Sequence, residues 1–109
     1  MPKFANVAEI DRIKMCFTVQ CYCTIGKTLC TYEVVVDLVP TDVIPDYLEV
    51  QESVNDLNCH WYTMEAACAE IFERVLEQVD HRCASLCVRL CCGDARHFPV
   101  EVTKERVFG

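Results

Sequence analysis

The chain has 109 residues, of which ten are cysteine, three glycine and four proline; it is 52% hydrophobic and carries a formal net charge of −7. That length makes a single domain over residues 1–109 whose own core is thin, since a chain this short still leaves roughly a third of its surface wet. The acidic balance repels phosphate and argues against a general electrostatic grip on nucleic acid, and no stretch approaches the ~20 apolar residues that cross a membrane.

The opening segment, MPKFANVAEIDRIKM, is charged throughout and reads as neither leader nor anchor, which predicts a cytoplasmic protein. Residues 12–23 alternate: Ile13, Met15, Phe17, Val19 and Cys21 share one face against Lys14, Thr18 and Gln20, the pattern of a half-buried strand. Residues 24–28, TIGKT, form a turn. Residues 31–39 alternate again, with Tyr32, Val34, Val36 and Leu38 opposite Glu33 and Asp37, so the two strands read as an antiparallel hairpin. Pro40 ends the second strand, and Pro45 opens a helix running to about Leu57. After a break at Asn58, Cys59 and His60, a stronger helix spans about Thr63 to Val79, with Ala67, Cys68, Ile71, Phe72, Val75 and Val79 at helical spacing. Residues 83–92 form a third strand, with Ala84, Leu86, Val88 and Leu90 on one face and Cys83, Ser85, Cys87, Arg89 and Cys91 on the other. Gly93 and Asp94 turn the chain into a fourth strand over 97–103, with Pro99 suited to an edge.

The order ββααββ predicts an α+β domain, an antiparallel sheet with two helices packed on one face. The opposite sheet face carries Cys, Ser, Arg, Thr and Gln, a lining for an enclosed watery interior. Surplus apolar surface on so small a chain predicts that copies cover one another, as a homo-oligomer.

An even number of cysteines in a short chain suits a disulfide framework only in an oxidising compartment. With no export signal, most of the ten read as reduced core or interface residues, of which Cys68 within the helical stripe is one. Intracellular disulfides of the thermophile kind stay open as the alternative.

The segment CYCTIGKTLCTYEVVVDLVP, residues 21–40, resembles the corresponding stretch of the QueF family, and more closely its archaeal branch, the QueF-like amidinotransferases known as archaeosine synthases. In that branch a nucleophilic cysteine opens a loop reading roughly Cys-Pro-x-Ser-Lys-Thr-x-Asp. Cys23, Lys27 and Thr28 match in place, and the following strand reaches Pro40 without a gap. The resemblance implies the tunnelling fold, a ββααββ subunit whose sheets join side by side into an oligomeric barrel with sites between subunits. It implies a deazapurine or other purine-like ligand anchored by Glu65 in the first turn of the second helix; Lys27 and Thr28, which match the family loop, and His60 are further candidate substrate contacts. Ordinary first-turn charge placement is the bland account of Glu65.

The implied chemistry is addition of the Cys23 thiolate to the cyano group of a 7-cyano-7-deazaguanine base, giving a thioimide. In the archaeal branch ammonia then leaves an amidine on tRNA; in the reductase branch NADPH supplies hydride. The reductase's Glu-Ser-Lys-Ser-like motif is missing from PTDVIPDYLEVQESV, so no nicotinamide cofactor is expected. The sequence departs from the pattern in three places: Cys30 stands where the family has its acid, Met64 where it has a histidine before the glutamate, and Thr24 where it has proline. Cys30, at that position, is the candidate catalytic partner of Cys23 through a reversible disulfide; Cys21 is the alternative nucleophile and His60 the candidate substitute proton donor. Cys21-Tyr22-Cys23-Thr24 is also similar to the Cys-Pro-Cys-Ser loop of type IB GTP cyclohydrolases, which makes Cys21, Cys23 and His60 a minor candidate zinc set. Without an acid, the same architecture supports a non-catalytic purine or pterin binder. Arg89 and His97 are candidate anion contacts whose bland reading is solvated polarity.

Overall fold

The computed structural model describes residues 3–93 and 98–109. Its elements in chain order are β1 (Lys3–Ala5), β2 (Ile13–Cys23), β3 (Leu29–Pro40), β4 (Val43–Pro45), α1 (Tyr47–Asn55), β5 (Trp61–Tyr62), α2 (Met64–Gln78), β6 (Cys83–Cys92) and β7 (Val100–Val107). The main sheet has five strands in the order β5-β2-β3-β6-β7, antiparallel except where β5 runs parallel to β2. β1 and β4 make a separate two-stranded sheet.

Burial follows the alternation. Val19, Cys21, Tyr32, Val34, Val36, Leu38, Leu86, Val88 and Leu90 point to the helix side and are almost wholly removed from water. α2 lays Ala67, Cys68, Ile71, Phe72, Val75 and Leu76 onto them. Each large side chain buried this way contributes about 1.5–3 kcal/mol of transfer free energy. Two cations of β7 close the margin of this layer: the Lys104 ammonium lies 5.1 Å from the centroid of the Phe72 ring and the Arg106 guanidinium 5.6 Å. The opposite sheet face is polar, with Arg12–Asp37 at 3.7 Å and Arg89–Glu101 at 3.5 Å as its ion pairs.

The helices begin where their caps place them. Asp46 accepts the N–H of Leu48 and starts α1 after Pro45, which belongs to β4 rather than to the helix. Thr63 accepts the N–H of Ala66 at 3.1 Å and starts α2. Arg74 ties the two helices together, donating to the Ser53 carbonyl at 2.6 Å and pairing with Asp56 and Glu70, each at 3.1 Å.

Two strand expectations shift. The register of β3 and β6 slips between Val39 and Pro40, so that Pro40 pairs with Cys83 and Ala84 is the extra residue. This bulge turns Cys83 into the core instead of onto the Ser85 face. The last strand runs Val100–Val107 rather than over 97–103. Asp94 and His97, and with them the expected turn and the anion contact at His97, lie outside the described residues.

Thr63→Ala is expected to lower stability by about 1 kcal/mol, the usual worth of an N-cap, and Ile71→Ala by about 2–5 kcal/mol through the cavity it leaves. Urea midpoints at unchanged slope measure both.

Candidate functional site

Cys23 is the last residue of β2 and opens a tight loop. Its N–H donates to the Thr28 carbonyl and its carbonyl accepts from the Lys27 N–H, both at 2.8 Å. The Gly26 N–H donates to the Cys23 sulfur at 3.3 Å. A side chain at Gly26 would stand 3.6 Å from that sulfur, so glycine leaves the thiol open on this side. Lys27 closes the loop in the left-handed region, with φ 52°. A residue with a Cβ occupies that region at a cost of roughly 1–2 kcal/mol.

The loop is fastened to the start of α2. Tyr22 pairs with Trp61 and Cys23 with Tyr62 across the parallel β2–β5 contact. The Cys59 N–H donates to the Gln20 carbonyl at 2.7 Å, the Tyr22 N–H to the His60 carbonyl at 2.9 Å, and the Thr24 N–H to the Tyr62 carbonyl at 3.3 Å. Asn58 Oδ1 accepts the Gln20 N–H at 2.9 Å, and Cys59 turns the chain with φ 66°. Glu65 follows Tyr62 by three residues, exposed in the first turn of α2, where the helix N-terminus favours a carboxylate. The sequence-predicted Cys23, Lys27, Thr28, His60 and Glu65 therefore come from one continuous ribbon: a loop, the strand beside it and the helix start that follows.

The faces of that ribbon differ. Trp61, 59% exposed, stacks on Tyr22 with centroids 5.1 Å apart on the polar side of the sheet. Cys23 and Tyr62 turn to the helix side and touch the core. The His60 ring lies nearly parallel to that of Tyr62, centroids 6.2 Å apart, and so belongs to the Cys23 side. Tyr22, Trp61 and Tyr62 were not anticipated from the sequence; a two-residue strand carries no periodicity to betray it.

The other candidates fall elsewhere. Cys30 is 7% exposed, points into the core beside its register partner Cys21, and its thiol approaches the Thr28 carbonyl at 3.8 Å. Cys21 is 0% exposed, and its thiol approaches the Leu57 carbonyl at 3.7 Å. Burial, and behind it the neighbouring Cys30 and Cys59, push the Cys21 thiol up to about 11, which disqualifies it as a nucleophile at neutral pH. No disulfide joins any of the ten cysteines in the structure. Among the described residues no three His, Cys, Asp or Glu side chains are grouped so as to hold a metal ion. Arg89 pairs with Glu101 on the polar sheet face, away from the loop. Among the described residues no helix is long and apolar enough to cross a membrane.

No protein-family model and no curated protein matches the sequence. Solved structures do match in fold. An archaeosine synthase QueF-like structure in the apo form superposes with TM-score 0.80 at 20% identity, over 88% of this chain and 93% of that one. A dihydroneopterin aldolase from Burkholderia thailendensis bound to guanine superposes with TM-score 0.66 at 18% identity, over 94% and 95% of the two chains. The fold is the α+β tunnelling fold.

Brief iodoacetamide treatment of native protein at about pH 8 is expected to label Cys23 together with exposed Cys16 and Cys59, and to leave Cys21. A thiol at about 11 is ionised in roughly one molecule per thousand at that pH, and here it is also shielded from reagent. Peptide mapping by mass reads the order, with Cys21 labelling only as the pH approaches about 11 or the chain unfolds.

Proposed function

We propose that this tunnelling-fold chain is a QueF-like enzyme in which the Cys23 thiolate adds to the nitrile of a 7-cyano-7-deazaguanine-type base, with amidino transfer rather than reduction as the outcome. The observation that carries the reading is the Cys23 loop itself. A half-exposed sulfur receives the Gly26 N–H and is bound through β5 to the helix start that presents Glu65. A carboxylate at that helix end can accept two N–H donors from a guanine-like edge, a charge-assisted pair. Lys27 and Thr28 border the same loop. Addition forms a carbon–sulfur bond, breaks one carbon–nitrogen π bond and places a proton on nitrogen. Ammonia then displaces the thiolate to leave an amidine, and no electrons change hands, so the route needs no nicotinamide. On this reading the nitrile belongs to a tRNA nucleoside.

Intact-mass analysis after incubation with 7-cyano-7-deazaguanine is expected to show one adduct per chain. Cys23→Ala abolishes it, and Glu65→Gln weakens ligand binding by about tenfold to a hundredfold, the worth of a charge-assisted hydrogen bond. The absence of any adduct on the wild-type chain refutes the reading.

A second reading rests on Cys30 and Met64 standing where the family has its acid and histidine, and on the guanine bound by the aldolase of the same fold. In it the chain holds a purine or pterin through Glu65 without covalent chemistry. Calorimetric binding of guanine or the nitrile base with no change in intact mass is its signature.

The sheet edges support a ring of copies. β5 covers only the last two residues of β2, and the outer edge of β7 has no strand partner among the described residues. Unpaired edges template pairing with another chain, and joining the β2 edge of one copy to the β7 edge of the next repeats until the ring closes. Native mass spectrometry is expected to give a multiple of the 12.5 kDa protomer; a monomer at micromolar concentration counts against the ring.

A further inference from the structure

Nitrile addition needs a proton on nitrogen, and the cysteine at the family's acid position is buried with its thiol turned to a backbone carbonyl. Cys30 lies in the core opposite Cys21, with its own thiol turned to the Thr28 carbonyl. Met64 carries no proton to give. We propose that His60 is the proton donor of this site, an inference that rests on the covalent reading above.

Three observations converge on His60. Its carbonyl accepts the Tyr22 N–H at 2.9 Å, which fixes its backbone beside the end of β2. Its ring stacks on that of Tyr62, the neighbour of Trp61 that turns to the opposite side, and Tyr62 is the register partner of Cys23. The ring is exposed and lies almost parallel to the Tyr62 ring at 6.2 Å, so an aromatic face orients it while its nitrogens remain open to a ligand. Among the described residues it is the one histidine in this ribbon; His81 lies in the turn after α2.

The step balances within the site. The Cys23 thiolate forms the carbon–sulfur bond, one carbon–nitrogen π bond breaks, and its electron pair takes the proton of the His60 imidazolium. The products are a neutral thioimide and a neutral imidazole. His60 can recover a proton from the ammonium form of the incoming amine, which must in any case lose one to attack.

The test follows adduct formation by intact mass with 7-cyano-7-deazaguanine in the wild type, His60→Gln, His60→Ala, Cys30→Ser and Cys23→Ala. His60→Gln and His60→Ala are expected to slow the adduct by 10²–10⁴-fold, the range of general acid catalysis, and free imidazole is expected to restore part of the rate to His60→Ala but not to Cys23→Ala. Rescue separates proton donation from a merely structural role. A wild-type adduct that forms as fast in His60→Gln, or is lost in Cys30→Ser alone, overturns the assignment of His60 and leaves the covalent reading standing. A wild type that forms no adduct overturns both.

Discussion

The geometry of the candidate site depends on a contact two residues long. The parallel pairing of Trp61 and Tyr62 with Tyr22 and Cys23 is the link between a strand end and the helix that follows in sequence some forty residues later. Three backbone hydrogen bonds and the Asn58 side chain hold it. Each contributes only about 0.5–1.5 kcal/mol net, so the pairing survives because the chain around it is already ordered. α1 and α2 are clamped by Arg74, and Leu57 is fully buried just before the turn. The break between the helices is thus short on both sides, and its polar groups have few partners other than the free side of β2. The left-handed turn at Cys59 is the cost of reaching it.

The same one-sided burial that folds the chain also defines what is left exposed. α2 covers the helix side of β6, where apolar residues come at every second position, and of β7, which adds Lys104 and Arg106 at the margin. The other side of the sheet has carboxylates, thiols and a few cations, and its two ion pairs are partly wet and worth at most about 1 kcal/mol each. Nothing in those energies requires a solvent-facing surface; a polar lumen would satisfy the same groups. The stacked Tyr22 and Trp61 stand at the loop end of this face, whereas Cys23, Tyr62 and His60 stand on the other. The ribbon therefore presents the stacked Tyr22–Trp61 pair on one face and the thiol with Tyr62 and His60 on the other.

Much of this was legible in the sequence, for physical reasons that differ by element. The long strands and α2 declared themselves because one face of each is buried without interruption over many residues, and Thr63 marks the helix start by its own hydroxyl. β1, β4 and β5 are too short for a pattern and form only because other elements leave backbone groups for them to pair with. Cys83 was assigned to the wrong face because a bulge adds one residue, and alternation inverts beyond any such insertion. The loop cysteine was recognisable by its neighbours Lys27 and Thr28. The orientation of Cys30 was implicit as well: it shares the parity of Tyr32, Val34 and Val36, so a strand running through it must turn its thiol inward.

The segment between β3 and α1 bears on which reaction the fold can host. Reduction of the nitrile needs a second bound molecule and residues to hold it, and the QueF resemblance puts those residues in this segment. Here its polar groups are committed to structure. The Thr41 hydroxyl donates to the Arg82 carbonyl at 3.0 Å, Asp42 is ion-paired with Arg82, Val43–Pro45 pair with β1, and Asp46 caps α1. The Arg82 guanidinium holds the Asp42 carboxyl below the usual carboxylate range. Amidino transfer asks for none of this. In the proposed amidino transfer the second reactant is a small amine, and the proton placed on nitrogen in the first step is what makes a thioimide electrophilic enough to take it.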